Sequence, residues 1–236
     1  MIRPLAAVAA LALTCTSAMS VCQASPLSPH AYAIETTDGT SCSTSTPNYG
    51  GYFDSSNTAD DLFGGSTNNF VTKEMWLTMG DSCNKWIETG SVDGALSGGY
   101  WNGAYWALNR SSTGMDYYEE AIQPEYLSGE HNFEVQWTGS AWQVVVDGTV
   151  KKTITSEGSA SSQNIEAGIE TNDSSTTFTS GTFMSCLEYL APDNTYSWYY
   201  WPSFYNNDSN TLGWSSSFTE NPGSPTCLNR ATFTHS

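Results

Sequence analysis

Basic residues are scarce in this chain. Seven Lys and Arg stand against 24 Asp and Glu, which gives a net charge of −17. So few cations cannot neutralise a run of phosphates, which argues against nucleic acid and anionic membrane surfaces as partners. Long apolar runs are also missing: after Leu13 no segment is apolar enough for a membrane helix. The three histidines, His30, His131 and His235, are scattered, and neither a Gly-x-Ser-x-Gly elbow nor a Ser/His/Asp order supports a serine hydrolase. No long stretch carries helical periodicity. Neither a metal nor another cofactor is expected.

What is present begins with Arg3 and the short apolar stretch Leu5–Leu13, followed by small and polar residues up to Ala24. That layout is expected to be a secretory signal spanning residues 1–24, cleaved near Ala24. Its removal takes Cys15 and Cys22 and leaves Cys42, Cys83, Cys186 and Cys227. Four cysteines in an exported chain read as a disulfide framework, and the more local pairing is Cys42–Cys83 with Cys186–Cys227. Zinc is a poor alternative because no two of these four are closely spaced. The remaining roughly 210 residues suit one sandwich-sized domain, expected to act as a monomer.

Residues 25–69 are rich in Ser, Thr, Asn, Asp and Gly and read as an irregular arm with one or two short strands. From residue 70 to 236 the texture is short β-type runs separated by turns. Strands are predicted at Val71–Met79, Lys85–Thr89, Tyr100–Leu108, Met115–Ile122, Asn132–Trp137, Trp142–Val146, Val150–Thr155, Ile165–Thr171 and Thr176–Leu190. Asp147-Gly148 between two β-prone runs is a strong hairpin signal, since both turn positions need positive φ. The class expected is all-β: an antiparallel sandwich of the concanavalin-like jelly-roll kind with a concave face. Beyond Pro192 the chain turns aromatic, from Tyr196 to Trp214. Those rings either cap the core with a final pair of strands or form a platform for a sugar or an extended peptide.

One repeat stands out for chemistry. Ile87-Glu88-Thr89-Gly90 and Ile165-Glu166-Ala167-Gly168 share an Ile-Glu-small-Gly pattern. Alternation along a strand places Ile87, Ile165 and Ile169 on one face and Glu88, Glu166 and Glu170 on the other. With the isoleucines in the core, the glutamates and Trp86 face a groove, where Gly90 and Gly168 leave room for a ligand backbone. Two neighbouring carboxyls suit acid–base work, because like-charge proximity keeps a proton on one while the other stays ionised. The bland reading is a pair of solvated strand glutamates.

The order of short motifs from Glu74 to Leu190 resembles the eqolisin-type glutamic peptidases, secreted β-sandwich enzymes. Met75-Trp76-Leu77-Thr78-Met79-Gly80-Asp81 is similar to that family's Trp-Val-Gly-Ile-Asp-Gly turn. Ile87-Glu88-Thr89-Gly90 resembles its Leu-Gln-Thr-Gly, which carries a catalytic glutamine. Ala104-Tyr105-Trp106 and Tyr117-Tyr118-Glu119 fall where the family has an aromatic and acidic segment, and Ser128-Gly129-Glu130 resembles its Ala-Gly-Asp turn. Asn164-Ile165-Glu166-Ala167-Gly168-Ile169-Glu170 falls where its Ala-Glu-Trp-Ile-Val-Glu holds the catalytic glutamate. Glu88 replaces the family's glutamine, giving a Glu/Glu pair similar to the neprosin type, and Ala167 replaces its tryptophan.

The resemblance implies catalytic roles for Glu88 and Glu166, with Trp76, Trp86, Trp106, Tyr118 and Glu170 lining the groove. It implies an extracellular polypeptide substrate. A carbohydrate-directed concanavalin-like module acting on polysaccharide is the alternative, and a non-catalytic sandwich is the third reading.

Overall fold

The computed structural model describes residues 31–35, 48–57, 70–79, 85–96, 99–110, 114–120, 129–155, 162–171, 183–192, 196–201, 205–208, 215–220, 227 and 229–234. Residues 1–24, Cys42 and Cys83 lie outside them, so the expected leader and the expected Cys42–Cys83 pairing fall outside the described residues.

Among the described residues all elements are strands: β1 Ala31–Glu35, β2 Gly50–Asn57, β3 Phe70–Met79, β4 Trp86–Leu96, β5 Gly99–Arg110, β6 Gly114–Glu120, β7 Gly129–Trp137, β8 Trp142–Val146 and β9 Thr149–Ile154. They continue with β10 Ser162–Thr171, β11 Phe183–Leu190, β12 Trp198–Tyr200, β13 Tyr205–Asp208, β14 Ser215–Glu220 and β15 Asn229–Thr234. Two antiparallel sheets result. One runs β13-β1-β10-β3-β4-β5-β6, the other β14-β15-β11-β2-β7-β8-β9 with β12 on β11. The fold is the antiparallel β-sandwich that the strand pattern implied.

The core lies between the sheets. Ile87, Ile165, Ile169, Met75 and Leu77 project from the first sheet, and Phe53, Phe133, Val135, Val144 and Met184 from the second. Each such side chain removed from water is worth about 1.5–3 kcal/mol. Phe53 and Phe133, register partners on β2 and β7, stack with centroids 5.0 Å apart. The predicted hairpin forms as expected, with Asp147 at φ 50° and Gly148 at φ 69°. Cys186 and Cys227 are joined across 41 residues of chain.

The segment read as an irregular arm with one or two short strands supplies two: β2, an interior strand of the second sheet, and β1, beside β10 in the first. Its glycines explain why it looked unstructured: a Cβ at Gly51 would stand 2.6 Å from Met75 Sδ, so small residues let the sheets meet here. The described part of the aromatic C-terminal segment lies partly in the core and partly at the surface. Trp201 is buried in the core and Trp198 packs edge-on against Tyr52, while Tyr196 and Tyr199 are exposed.

Candidate active site

The outer face of the first sheet is built around Trp76. Along one register row, Glu166 of β10 pairs with Trp76 of β3, which pairs with Glu88 of β4. Glu35 on β1 and Ala107 on β5 extend that row in backbone register. Two strand spacings separate Glu88 from Glu166, about 10 Å between α-carbons. The indole lies between them. The next row holds Gly168, Glu74, Gly90 and Tyr105, and the row beyond pairs Glu170 with Thr72. Four carboxyls thus share one face of three adjacent strands. Lys73, the basic residue of these strands, lies on the opposite face.

These are not solvated strand residues. Relative exposure is 1% for Glu74, 7% for Glu88, 1% for Glu166 and 8% for Glu170. Burying carboxylates is costly, and a buried acid keeps its proton to avoid that cost. Burial, then the charge of Glu170, pushes the Glu88 carboxyl up to about 8, opposed by indole donors. Trp86 Nε1 donates to Glu88 Oε2 at 2.6 Å. The Trp76 indole N–H lies near the same carboxyl without completing a hydrogen bond. Burial, followed by the charges of Glu170 and Glu88, holds Glu74 well above the ordinary carboxylate range.

The structure brings together Glu88, Glu166, Glu170, Trp76 and Trp86 as the alternation implied. Trp106 is a correction: it belongs to the core between the sheets, with Lys152 Nζ 5.0 Å from its ring centroid. Tyr118 pairs in backbone register with Trp106 rather than with a glutamate row. The groove-side position on β5 is Tyr105, one residue earlier, where the strand's parity is opposite.

Sequence reasoning also missed Glu74. The signal was available, since Glu74 is two residues before Trp76 and therefore on its face. The space over Gly90 is likewise not open to a ligand backbone. A Cβ there would meet the Lys73 carbonyl oxygen and stand 2.7 Å from Glu74 Cα. Gly90→Ala is expected to destabilise the protein by about 1–3 kcal/mol through this overpacking, read from urea unfolding midpoints.

The second sheet has its own acidic group on its outer face, more open to solvent. Tyr52 pairs with Glu134 on one side and Glu188 on the other, and its hydroxyl donates to Asp54 at 2.6 Å. Burial, then Glu188, pushes Glu134 up to about 7, and burial pushes Asp54 up to about 6. Asp54 also approaches the Cys186 and Cys227 sulfurs within 4.8 Å. Those sulfurs are bonded to each other and offer no thiolate to a metal.

No protein-family description matches the sequence, and no curated protein matches it. Solved structures do resemble it. Scytalido-glutamic peptidase, solved with a transition-state analogue inhibitor, superposes with a TM-score of 0.51 at 13% identity, covering 87% of this chain and 98% of that one. A member of the eqolisin family in complex with the tripeptide Ala-Ile-His covers 87% and 96% at 11% identity, with a TM-score of 0.48. A Bacillus licheniformis β-glucanase covers 82% and 69% at 10% identity, with a TM-score of 0.35. The fold this chain shares with the first of these is the β-sandwich of a glutamic peptidase.

Proposed function

We propose that the chain is an exported hydrolase that cleaves peptide bonds with the pair Glu88 and Glu166. The observation that carries this reading is their placement: two buried carboxyls flanking one tryptophan, on the same face of the same sheet. Glu166 acts as general base. It takes a proton from a water that attacks the amide carbonyl carbon. Glu88, in its acid form, donates to the carbonyl oxygen as negative charge develops there. When the C–N bond breaks, the leaving amine takes a proton from the carboxyl pair. Trp76, Trp86 and Tyr105 shape the cleft, and burial strengthens each electrostatic contact within it.

The active form has Glu88 protonated and Glu166 ionised, so activity belongs on the acid side of neutrality and extends upward until Glu88 loses its proton. Purified protein incubated with denatured casein at pH 3–5 is expected to generate new amino termini. A polysaccharide panel run beside it tests the second reading, which the indoles beside paired carboxyls favour, since such rings also stack on sugars. Release of reducing ends with no peptide cleavage overturns the peptidase assignment.

A further inference from the structure

The catalytic reading uses Glu88 and Glu166 and leaves two buried carboxyls unexplained. Glu74 is the less expected of them. It stands between two glycines in register, Gly168 on β10 and Gly90 on β4. Neither flanking residue has a side chain to solvate or pair with it. The Gly90 backbone approaches so closely that a Cβ would stand 2.9 Å from Glu74 Cβ. Glu170 is the next side chain on the same face of β10, diagonal to Glu74 in register, and Thr72 Oγ1 donates to its backbone carbonyl at 3.4 Å, while Glu74 Oε1 is buried with no partner.

A hydrogen bond between two carboxyl groups needs one proton, because two carboxylates offer only acceptors. Two like charges at that separation in a buried site also cannot both ionise. The proton belongs on the more deeply enclosed group, Glu74. We propose that Glu74 and Glu170 share one proton as an acid–carboxylate pair, with Glu74 the donor, and that the single negative charge of this pair adds to burial in keeping Glu88 in its acid form. The second half of this statement rests on the hydrolase reading; the first does not. Glu74 is thereby a positioning residue that never touches substrate.

Among the described side chains, the titratable groups on this face are Glu74 from β3, Glu88 from β4, Glu166 and Glu170 from β10, and the Tyr105 phenol from β5; Glu119 of β6 is in backbone register with Tyr105. Glu35 of β1 is in register with Glu166. Lys73 is buried on the other face of β3. Of these, Glu170 is the charge that acts most on Glu88.

Two readouts test the proposal. In the profile of kcat/KM against pH, Glu170→Gln removes the pair's charge, and the alkaline limb is expected to move down by about one pH unit or more. Glu74→Gln keeps a neutral donor against Glu170 and is expected to leave that limb in place. An unmoved limb in Glu170→Gln overturns the proposal. So does a Glu74→Gln limb that moves as far as the Glu170→Gln one, since that is the behaviour of an ionised Glu74.

The second readout needs no activity. Infrared spectra of the wild-type protein at pH 7, where ordinary carboxyls are ionised, are expected to show protonated-carboxyl C=O absorption, part of which disappears in Glu74→Gln. Its absence from the wild type overturns the proposal, whether or not either variant folds. If the absorption is present and part of it disappears in Glu74→Gln but no peptide is cleaved, the proton-sharing pair stands and the hydrolase reading alone fails.

Discussion

Glu166→Gln is expected to lower kcat for peptide hydrolysis by about a hundred- to ten-thousand-fold, the range associated with losing a positioned general base. The amide has nearly the same shape as the carboxyl but cannot accept the water's proton. Because Glu166 is 1% exposed and sits in register beside Trp76, a neutral isostere leaves the packing of this row intact. The variant is therefore expected to fold, with a far-ultraviolet spectrum like that of the parent. Removing a buried ionisable group also leaves no reason for a lower melting temperature at neutral pH. Loss of activity with an unchanged melt is the signature of a chemical role; activity as high as the parent's removes Glu166 from the mechanism.

The second large effect concerns stability against pH. Glu88 ordinarily titrates near 4.5 and is pushed up to about 8 in the folded protein, by burial first and then by Glu170. Between those two values the folded state binds more protons than the unfolded one. Stability therefore falls as pH rises through this window, and levels off above it. Each unit of displacement carries about 1.4 kcal/mol. Glu74 and Glu188 are raised as well, Glu134 is pushed up to about 7 and Asp54 to about 6, all with the same sign. The melting temperature is expected to be highest near pH 4 and to drop steadily toward pH 8. Most domains show the opposite trend on the acid side, because their paired carboxylates must be protonated. A melting temperature that rises from pH 4 to pH 8 contradicts the burial of these acids. In Glu88→Gln the slope is expected to flatten, since one proton leaves the balance.

The parts of this arrangement that were legible in the sequence are those governed by local rules. Asp147-Gly148 forced a tight hairpin, and the observed strand Trp142–Val146 has the predicted bounds. Period-two alternation correctly set Ile87 and Ile165 against Glu88 and Glu166. Where the reading failed, a tertiary contact decided. Gly50-Gly51 at the head of β2 has poor strand propensity, yet close approach of Met75 and Val135 requires small residues there. Trp106 was assigned to the groove through the resemblance, but it sits one residue out of phase with Tyr105, and a one-residue shift exchanges the faces of a strand. Glu74 and its neighbour Lys73 were given no role in the sequence reading. Both are buried, on opposite sides of the sheet. Burial itself was the least legible property: a glutamate on a strand reads the same whether water or a cleft lies above it.

The most direct test of the whole account is the pH dependence of kcat/KM of the wild-type protein on a peptide substrate, which reports the acid and base of the free enzyme. With Glu166 ionised as base and Glu88 protonated as acid, the profile is a bell. Its acid limb reports the ionisation of Glu166, and its alkaline limb falls near the value of about 8 to which Glu88 is pushed. A rate that keeps climbing above that point, where Glu88 has surrendered its proton, contradicts it.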